Sequence, residues 1–478
     1  MSFPATAAQM SDALQAREIS SVELVETSLA SIDARDSQIG AFISLTDPDE
    51  LHGEARRIDD ARARGETLPA FAGVPIAIKD NIATAGQRLT CGSRMLEHYS
   101  TPFSASAVTR LQEAGLLIVG KTNMDEFGFG SSTENSAFFP TRNPCALDRV
   151  PGGTSGGSAA AVAAGFVPWA LGTDTGGSVR QPAALCGVVG VRPSYGRVSR
   201  SGVVSYSSSM DQIGPLTRTV GDAASLLSIV AGEDPLDATT APDPFVAGAR
   251  ADTQLKVGVP DEYLGAECDQ PVRAAVERAA IACERLGWSV ASASLPLTAH
   301  ALAAYYIIAS VEAAANLERY DGVRYGLRSE RSRSWTEMLT ETRTEGFGSE
   351  AKRRIMLGTF ASSAGYEDEY YGRACRVRSL LITEFASAFE RFDVLLSPVS
   401  PTTAWPLGER VGNPMRMYLS DVYSVPASLA GIPAAVIPAG HDQDELPLGV
   451  QLCGPRLADA ALLAAAGALE DAIARSTA

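Results

Sequence analysis

Two polar, glycine-rich stretches lie close together in this chain: "GGTSGGS" at residues 152–158, and "GTDTGGSVRQP" starting at Gly172. One short apolar run, which includes "AAAVAAG", separates them. Glycine admits backbone conformations and close approaches that other residues do not. The small residues between the loops predict a helix against which other backbone packs closely. Three chemistries compete for such a pair of loops: a phosphate cradle, a serine-hydrolase turn, or two halves of one catalytic site.

A phosphate cradle needs G-x-x-x-x-G-K-[ST] after a strand. Neither loop has the lysine, and G-x-G-x-x-G is also missing. A hydrolase elbow needs G-x-S-x-G, which Gly153–Gly157 matches around Ser155. It also needs a histidine downstream. Of His52, His98, His300 and His441 only the last two follow the serine, and both read as surface residues. Ser155 therefore lacks an evident base of its own.

The third chemistry joins the loops. A serine hydroxyl needs a base before it attacks an amide, and a neutral lysine can serve. Lys79 ends the apolar run "GVPIAIK" and is the candidate. Its pKa must fall from roughly 10.4 towards 7–8, at a cost of roughly 3–5 kcal/mol. A second hydroxyl between lysine and nucleophile would relay the proton, and successive backbone N–H groups in the glycine turn would form an oxyanion hole. Read alone, Lys79 is an ordinary strand-end lysine; read with the two loops, it is a base.

At 478 residues the chain is long for one core, so two domains or one large domain with an insertion are expected. A net charge of −16 argues against a broad nucleic-acid surface. Seven scattered cysteines without a C-x-x-C pair predict reduced thiols in a cytosol-like compartment. The start of the chain lacks the pattern of a signal peptide, and "SAAAVAAGFVPWALG" is too short to span a bilayer and is broken by Pro168. A cytoplasmic protein with no membrane partner is expected.

Helix and strand signals alternate, which means an α/β fold with a sheet covered on both faces. Ser20 and Glu23 have capping-box spacing ahead of a helix. From about 300 to 385 nearly everything reads as helical and charged, and strands return in "DVLLSP", "AAVIPAG" and "LPLGVQLCG". The expected organisation is an α/β body in residues 1–240 carrying the catalytic loops, a mostly helical inserted portion in 241–390, and a return to the body in 391–478.

The stretches "GVPIAIKDNI", "GKTNMDEFGFGSSTENSAFFPTRNP", "GGTSGGSAAAVAAG" and "GTDTGGSVRQPAALCGVVGVRPSYGRVSRSGV" resemble the amidase signature family. "YYIIASVEAAANLERYDGVRYG", "EGFGSEAKRRIMLGTF" and "MYLSDVYSVPASLAGIP" narrow the resemblance to its glutaminase members, which serve tRNA-dependent amidotransferases. The resemblance implies a Ser–Ser–Lys site on a large mixed sheet flanked by helices. Ser178 matches the nucleophile and Lys79 the base. Thr154 stands where the family has its relay serine, and keeps a donor and acceptor oxygen with an added methyl. Backbone N–H groups of Thr175, Gly176, Gly177 and Ser178 would form the oxyanion hole. Arg354 would pair with the α-carboxylate of glutamine and Asp421 with its α-ammonium, with Tyr305 lining the same pocket and residues 130–136 forming a binding loop. No cofactor is implied in this chain. The resemblance further implies a B subunit that uses ATP and Mg to amidate Glu-tRNA(Gln), and in some relatives Asp-tRNA(Asn), and a small C subunit that braces the pair. A free-standing amidase and a catalytically weak scaffold remain as alternatives.

Overall fold

The computed structural model describes residues 5–248, 254–331 and 334–477. Residues 332–333, within the stretch expected to be helical, lie outside it. The first part of the chain runs α1 (Ala7–Gln15), α2 (Ser21–Ile39), β1 (Phe42–Leu45), α3 (Pro48–Ala63), β2 (Pro75–Lys79), α4 (Ser106–Glu113) and β3 (Leu117–Thr122). It continues with α5 (Gly156–Ala163), β4 (Trp169–Asp174), α6 (Arg180–Cys186), β5 (Val189–Arg192), β6 (Gln212–Thr217) and α7 (Val220–Val230). Then follow β7 (Lys256–Pro260), α8 (Gln270–Arg285), β8 (Ser289–Ala293), α9 (Ala301–Asn316), α10 (Trp335–Gly346), α11 (Ser349–Ala361) and α12 (Arg373–Phe389). The last part is β9 (Val394–Pro398), α13 (Pro414–Leu419), α14 (Val425–Ala430), β10 (Ala434–His441), β11 (Pro447–Cys453) and α15 (Asp459–Thr477).

The strands form one mixed sheet in the order β1-β3-β2-β4-β6-β5-β10-β11-β9-β7-β8. Apolar residues alternate across its two faces, as a strand's two-residue period requires. Ile76, Ile78, Trp169, Leu171 and Val191 pack on one side; Ala77, Val119, Ala170 and Leu216 pack on the other with the alanines of α5. Within residues 241–390, β7 and β8 extend the sheet beyond β9, pairing in parallel. The helices α9 to α12 cover the catalytic edge, where Tyr305, Tyr306 and Phe347 join Phe127, Phe129 and Tyr206 in a separate apolar cluster.

The capping box is present: Ser20 Oγ accepts from Glu23 N at 3.2 Å, and Glu23 Oε2 accepts from Ser20 N at 2.8 Å. The expected helical continuity from 300 to 385 is broken between α9 and α10. Gly322 and Gly326 have φ of +75° and +84°, and a Cβ on Gly326 would meet Met95 O at 2.6 Å. These positions form a loop because a right-handed helix cannot pass through them. The stretch Pro296–Arg319 is long and apolar enough to cross a membrane by composition, which the reading of the sequence missed. Here it is mostly buried, packed against α11, α12 and α14 and against Phe127, Phe129 and Tyr206.

Parallel pairing positions the site. β2 pairs in parallel with both β3 and β4, so Lys79, Thr122 and Asp174, each the last residue of its strand, emerge at one edge. Ligand sites in α/β sheets form outside such carboxyl ends. α5 starts beside them because Gly157 lets the helix touch other backbone. A Cβ there would lie 2.4 Å from Asn123 O and 2.6 Å from Ala41 O. Gly157→Ala gains at most about 1 kcal/mol of helix propensity, but the overlap with rigid backbone costs about 1–3 kcal/mol. Net destabilisation is expected in urea unfolding. Gly53→Ala in α3, where a Cβ meets nothing within 4 Å, is expected to stabilise by about 0.5–1 kcal/mol. Stabilisation in both variants would refute the close approach.

Candidate active site

Lys79 is fully buried, and its ammonium position faces three hydroxyls. Nζ lies 2.7 Å from Thr154 Oγ1, 2.8 Å from Ser155 Oγ and 3.0 Å from Thr173 Oγ1. Asn81 Nδ2 also donates to Thr173 Oγ1 at 3.0 Å. Burial pushes the lysine down to about 7, partly opposed by the carboxylates of Asp125, Asp174 and Asp211. Near neutral pH it is therefore partly neutral, the form a general base requires.

Lys79 reaches Ser155 as closely as Thr154, so the reading that Ser155 lacks a base is corrected. The Ser155 oxygen is nevertheless occupied within the scaffold: it donates to Thr173 O at 3.1 Å and accepts from Thr173 N at 3.3 Å. His300 and His441 are exposed, as expected, and no hydrogen bond joins either to this cluster among the described residues. Gln181 Oε1 accepts from Gly153 N at 2.9 Å, which fixes the peptide ahead of Thr154.

Ser178 lies in the turn after β4, and its carbonyl accepts from Ser155 N at 3.0 Å, joining the two glycine loops. No hydrogen bond between the Thr154 and Ser178 hydroxyls is present among the described residues. Lys79 and Thr154 are thus in contact, and Ser178 is tied to their loop through its backbone.

The turn wraps around the buried carboxylate of Asp174. Asp174 accepts from Gly177 N at 3.0 Å and Val179 N at 3.2 Å. Arg180 bonds it through Nε at 3.0 Å and Nη2 at 3.1 Å, and Arg192 Nη1 reaches Oδ1 at 3.1 Å. Burial alone would raise the carboxyl, but the two guanidiniums hold it well below the usual range. The Gly177 amide is thereby occupied, whereas those of Thr175, Gly176 and Ser178 have no acceptor among the described residues. Of the four amides expected to form an oxyanion hole, Gly177 alone is bonded to Asp174. Gly176 and Gly177 admit no side chain, since a Cβ would lie 2.5 Å from Tyr305 Oη at one and 2.2 Å from Ser424 Oγ at the other.

The expected amino-acid pocket is organised around Tyr306. Its ring packs under the Arg354 guanidinium, 4.5 Å from its centroid, and its hydroxyl donates to Asp421 Oδ2 at 3.2 Å. Arg354 also donates to Glu350 Oε1 at 2.7 Å and to Tyr206 Oη at 2.8 Å. Ser131, in the 130–136 loop, donates to Asp421 at 2.7 Å. Burial pushes Asp421 up to about 7. Tyr305, named from the sequence, sits on Gly176; Tyr306, which was not named, bridges the two charged groups. Glu350, Tyr206 and Thr173 were also missed, although each lies within or beside a quoted motif. Among the described residues no cluster of His, Cys, Asp or Glu could hold a metal ion.

A family model described as Amidase matches residues 23–463. The chain belongs to the amidase signature family. The A subunit of the glutamyl-tRNA(Gln) amidotransferase of Moorella thermoacetica is 53% identical over 97% of this chain and 96% of its own length. The crystal structure of the same-named protein from Thermotoga maritima shares 43% identity and a TM-score of 0.79, covering 94% of this chain and 91% of its own. The peptide amidase of Stenotrophomonas maltophilia is 30% identical with a TM-score of 0.81, covering 98% and 96%. Membership supports amide hydrolysis as the chemistry of this amidase.

Two outcomes follow for the base and the relay. Activity is expected to fall below a midpoint near pH 7 as Lys79 gains its proton, and Lys79→Arg, always charged, is expected to be inactive. Activity in the Arg variant would refute the neutral-lysine base. Thr154→Ser is expected to stay within about tenfold of the parent, about 1.4 kcal/mol in barrier. Thr154→Val keeps the shape and removes the oxygen, and is expected to lose about 10²-fold or more in kcat. An active Val variant would reduce Thr154 to shaping the loop.

Proposed function

We propose that this amidase hydrolyses the side-chain amide of glutamine and supplies the ammonia to a tRNA-dependent amidotransferase. The observation that carries the reading is the pair of opposite charges, Arg354 and Asp421, flanking Tyr306 next to the nucleophile turn. Ser424 connects Asp421 to that turn: its hydroxyl donates to Gly176 O at 2.6 Å and lies 3.1 Å from Asp421 O. A guanidinium suits a carboxylate and a buried carboxylate suits an ammonium, so the pocket fits the zwitterionic end of a free amino acid. The names of the relatives agree with this reading.

In the proposed reaction the Ser178 oxygen bonds to the amide carbon while its proton moves through Thr154 to Lys79. Amides of the turn hold the developing oxyanion. Collapse breaks the C–N bond, and the proton returns to the departing nitrogen as ammonia. Water, deprotonated by the same base, then attacks the glutamyl ester; the acyl–oxygen bond breaks, glutamate leaves and the proton returns to the Ser178 oxygen. The partner B subunit would use ATP and Mg to activate Glu-tRNA(Gln) for the ammonia, with a C subunit bracing the complex in the cytoplasm.

Ser178→Ala is expected to abolish glutamine hydrolysis and covalent trapping while fold and partner binding persist. Arg354→Ala is expected to raise KM for glutamine by an amount on the order of 2–4 kcal/mol, with a much smaller effect on a simple amide lacking the α-carboxylate. Equal losses on both substrates would make Arg354 structural. Parent activity confined to other amides, with no co-purifying partner, would favour a free-standing amidase.

A further inference from the structure

Asp211, just before β6, is buried and belongs neither to the base cluster nor to the pocket for the amino-acid end. Its carboxylate nevertheless joins the oxyanion turn to the loop that carries Tyr206. Oδ1 accepts from Thr175 Oγ1 at 2.7 Å, and Thr175 opens the oxyanion turn. Oδ2 accepts from Tyr206 N at 2.9 Å and Ser205 Oγ at 2.8 Å, and Ser207 N approaches both oxygens at 3.1 Å. The phenol of that same Tyr206 accepts from Arg354. No cation lies within ion-pair distance of Asp211 among the described residues; its charge is met by donors that all belong to two loops.

We propose that Asp211 is a positioning residue that sets the oxyanion turn through Thr175 and, through Tyr206, fixes its spacing from Arg354. This rests on the glutaminase reading for the role of Arg354. Every donor facing Asp211 needs an acceptor, so the side-chain amide of an Asn would present N–H to N–H or O–H at one of the two oxygens. The loop is also anchored from the far side by α9. Glu312 Oε2 accepts from Ser207 Oγ at 2.7 Å and Ser209 N at 3.0 Å. One helical turn on, Asn316 Nδ2 donates to Tyr206 O at 3.2 Å. α9 carries Tyr305 and Tyr306 as well, so a single helix holds the turn, the pocket and the loop between them.

The contacts separate two effects. Thr175 reaches only the turn, whereas Asp211 reaches the turn and the pocket. Thr175→Val is expected to lower kcat for glutamine roughly 10–100-fold with KM unchanged, and Thr175→Ser, which restores the donor, to recover most of the loss. Asp211→Asn is expected to lower kcat and raise KM together. It is also expected to move the acid limb of the pH profile to lower pH. The charged or titratable groups facing Lys79 are Asp125, Asp174, Asp211 and Cys91, and losing one negative charge makes protonation of the lysine harder.

The experiment compares these variants in the full chain assembled with its co-purified partners. It measures glutamine kinetics from pH 5 to 9 and the rate at which a fluorophosphonate labels Ser178. The proposal is overturned if Thr175→Val keeps the parent kcat, if Ser is no better than Val, or if Asp211→Asn leaves KM and the pH profile unmoved. If Asp211→Asn does not fold, the Thr175 pair decides. If the parent does not hydrolyse glutamine, the glutaminase reading fails on its own, because the labelling rates of the Val and Ser variants still test the turn. A parent that is not labelled at Ser178 overturns both.

Discussion

The site depends on the removal of Lys79 from water without a carboxylate to meet it. The same sheet offers a comparison. Lys121, on the neighbouring strand β3, is equally buried, but it has Asp80 at 3.5 Å and the carbonyl of Ile82 at 2.6 Å. That lysine is a cross-brace between strand ends. Lys79 has hydroxyls instead, and a hydroxyl can donate or accept. Thr154, Ser155 and Thr173 can therefore hold the side chain in place in either protonation state, whereas a carboxylate at contact distance would favour the charged form. Burial disfavours the charged form, and the hydroxyl cage lets geometry survive when that form is given up.

Three more distant carboxylates keep this shift within a useful range, and each also organises a loop. Asp174 is the centre of the nucleophile turn. Asp125 accepts from Thr133 N at 2.8 Å and Asn135 N at 3.0 Å, and so folds the 130–136 loop. Asp211 gathers residues 205–207. Polar backbone buried away from water must find partners, and at this edge of the sheet the loops find them in side-chain carboxylates rather than in further strands. The electrostatics of the base and the folding of the loops are thus consequences of the same groups. Burial raises Asp125 to about 6 even with those N–H donors; Asp174 goes the other way only because two arginines accompany it.

This explains what could be read from the sequence. The apolar run ending at Lys79 and the two glycine loops are local patterns, and the parallel pairing of β2 with β4 brings them together as expected. The helix α5 and the returning strands β9 to β11 are likewise local. What the sequence does not display is partnership at a distance. Arg354 and Tyr206 are 148 residues apart, and Asp421 and Ser131 are 290 apart. Nothing in the spacing of either pair signals contact. Tyr305 and Tyr306 show a related difficulty: on a helix, neighbours diverge by about 100°, and only the packing of α9 decides which ring meets the turn and which meets the charges. The strand β8 beyond β7 escaped notice for a different reason, since an edge strand that is mostly exposed lacks an apolar run.

The pocket proposed for the amino-acid end is arranged so that little unbalanced charge waits in it. Glu350 already faces Arg354, and Tyr418 Oη joins it at 2.8 Å from the same carboxylate oxygen. Asp421, raised to about 7, is partly neutral and is held by two hydroxyl donors. A zwitterion adds one charge of each sign. Its carboxylate gains a guanidinium backed by two aromatic rings, 4.5 and 4.7 Å from their centroids. Its ammonium would favour the ionised form of Asp421, so binding completes a charge that burial had suppressed. A ligand with only one charged end leaves the opposite group buried and unmatched, at a cost of several kcal/mol. On the proposed reading, selectivity for a free amino acid follows from the unmatched charge a lesser ligand leaves behind, more than from any contact the zwitterion gains.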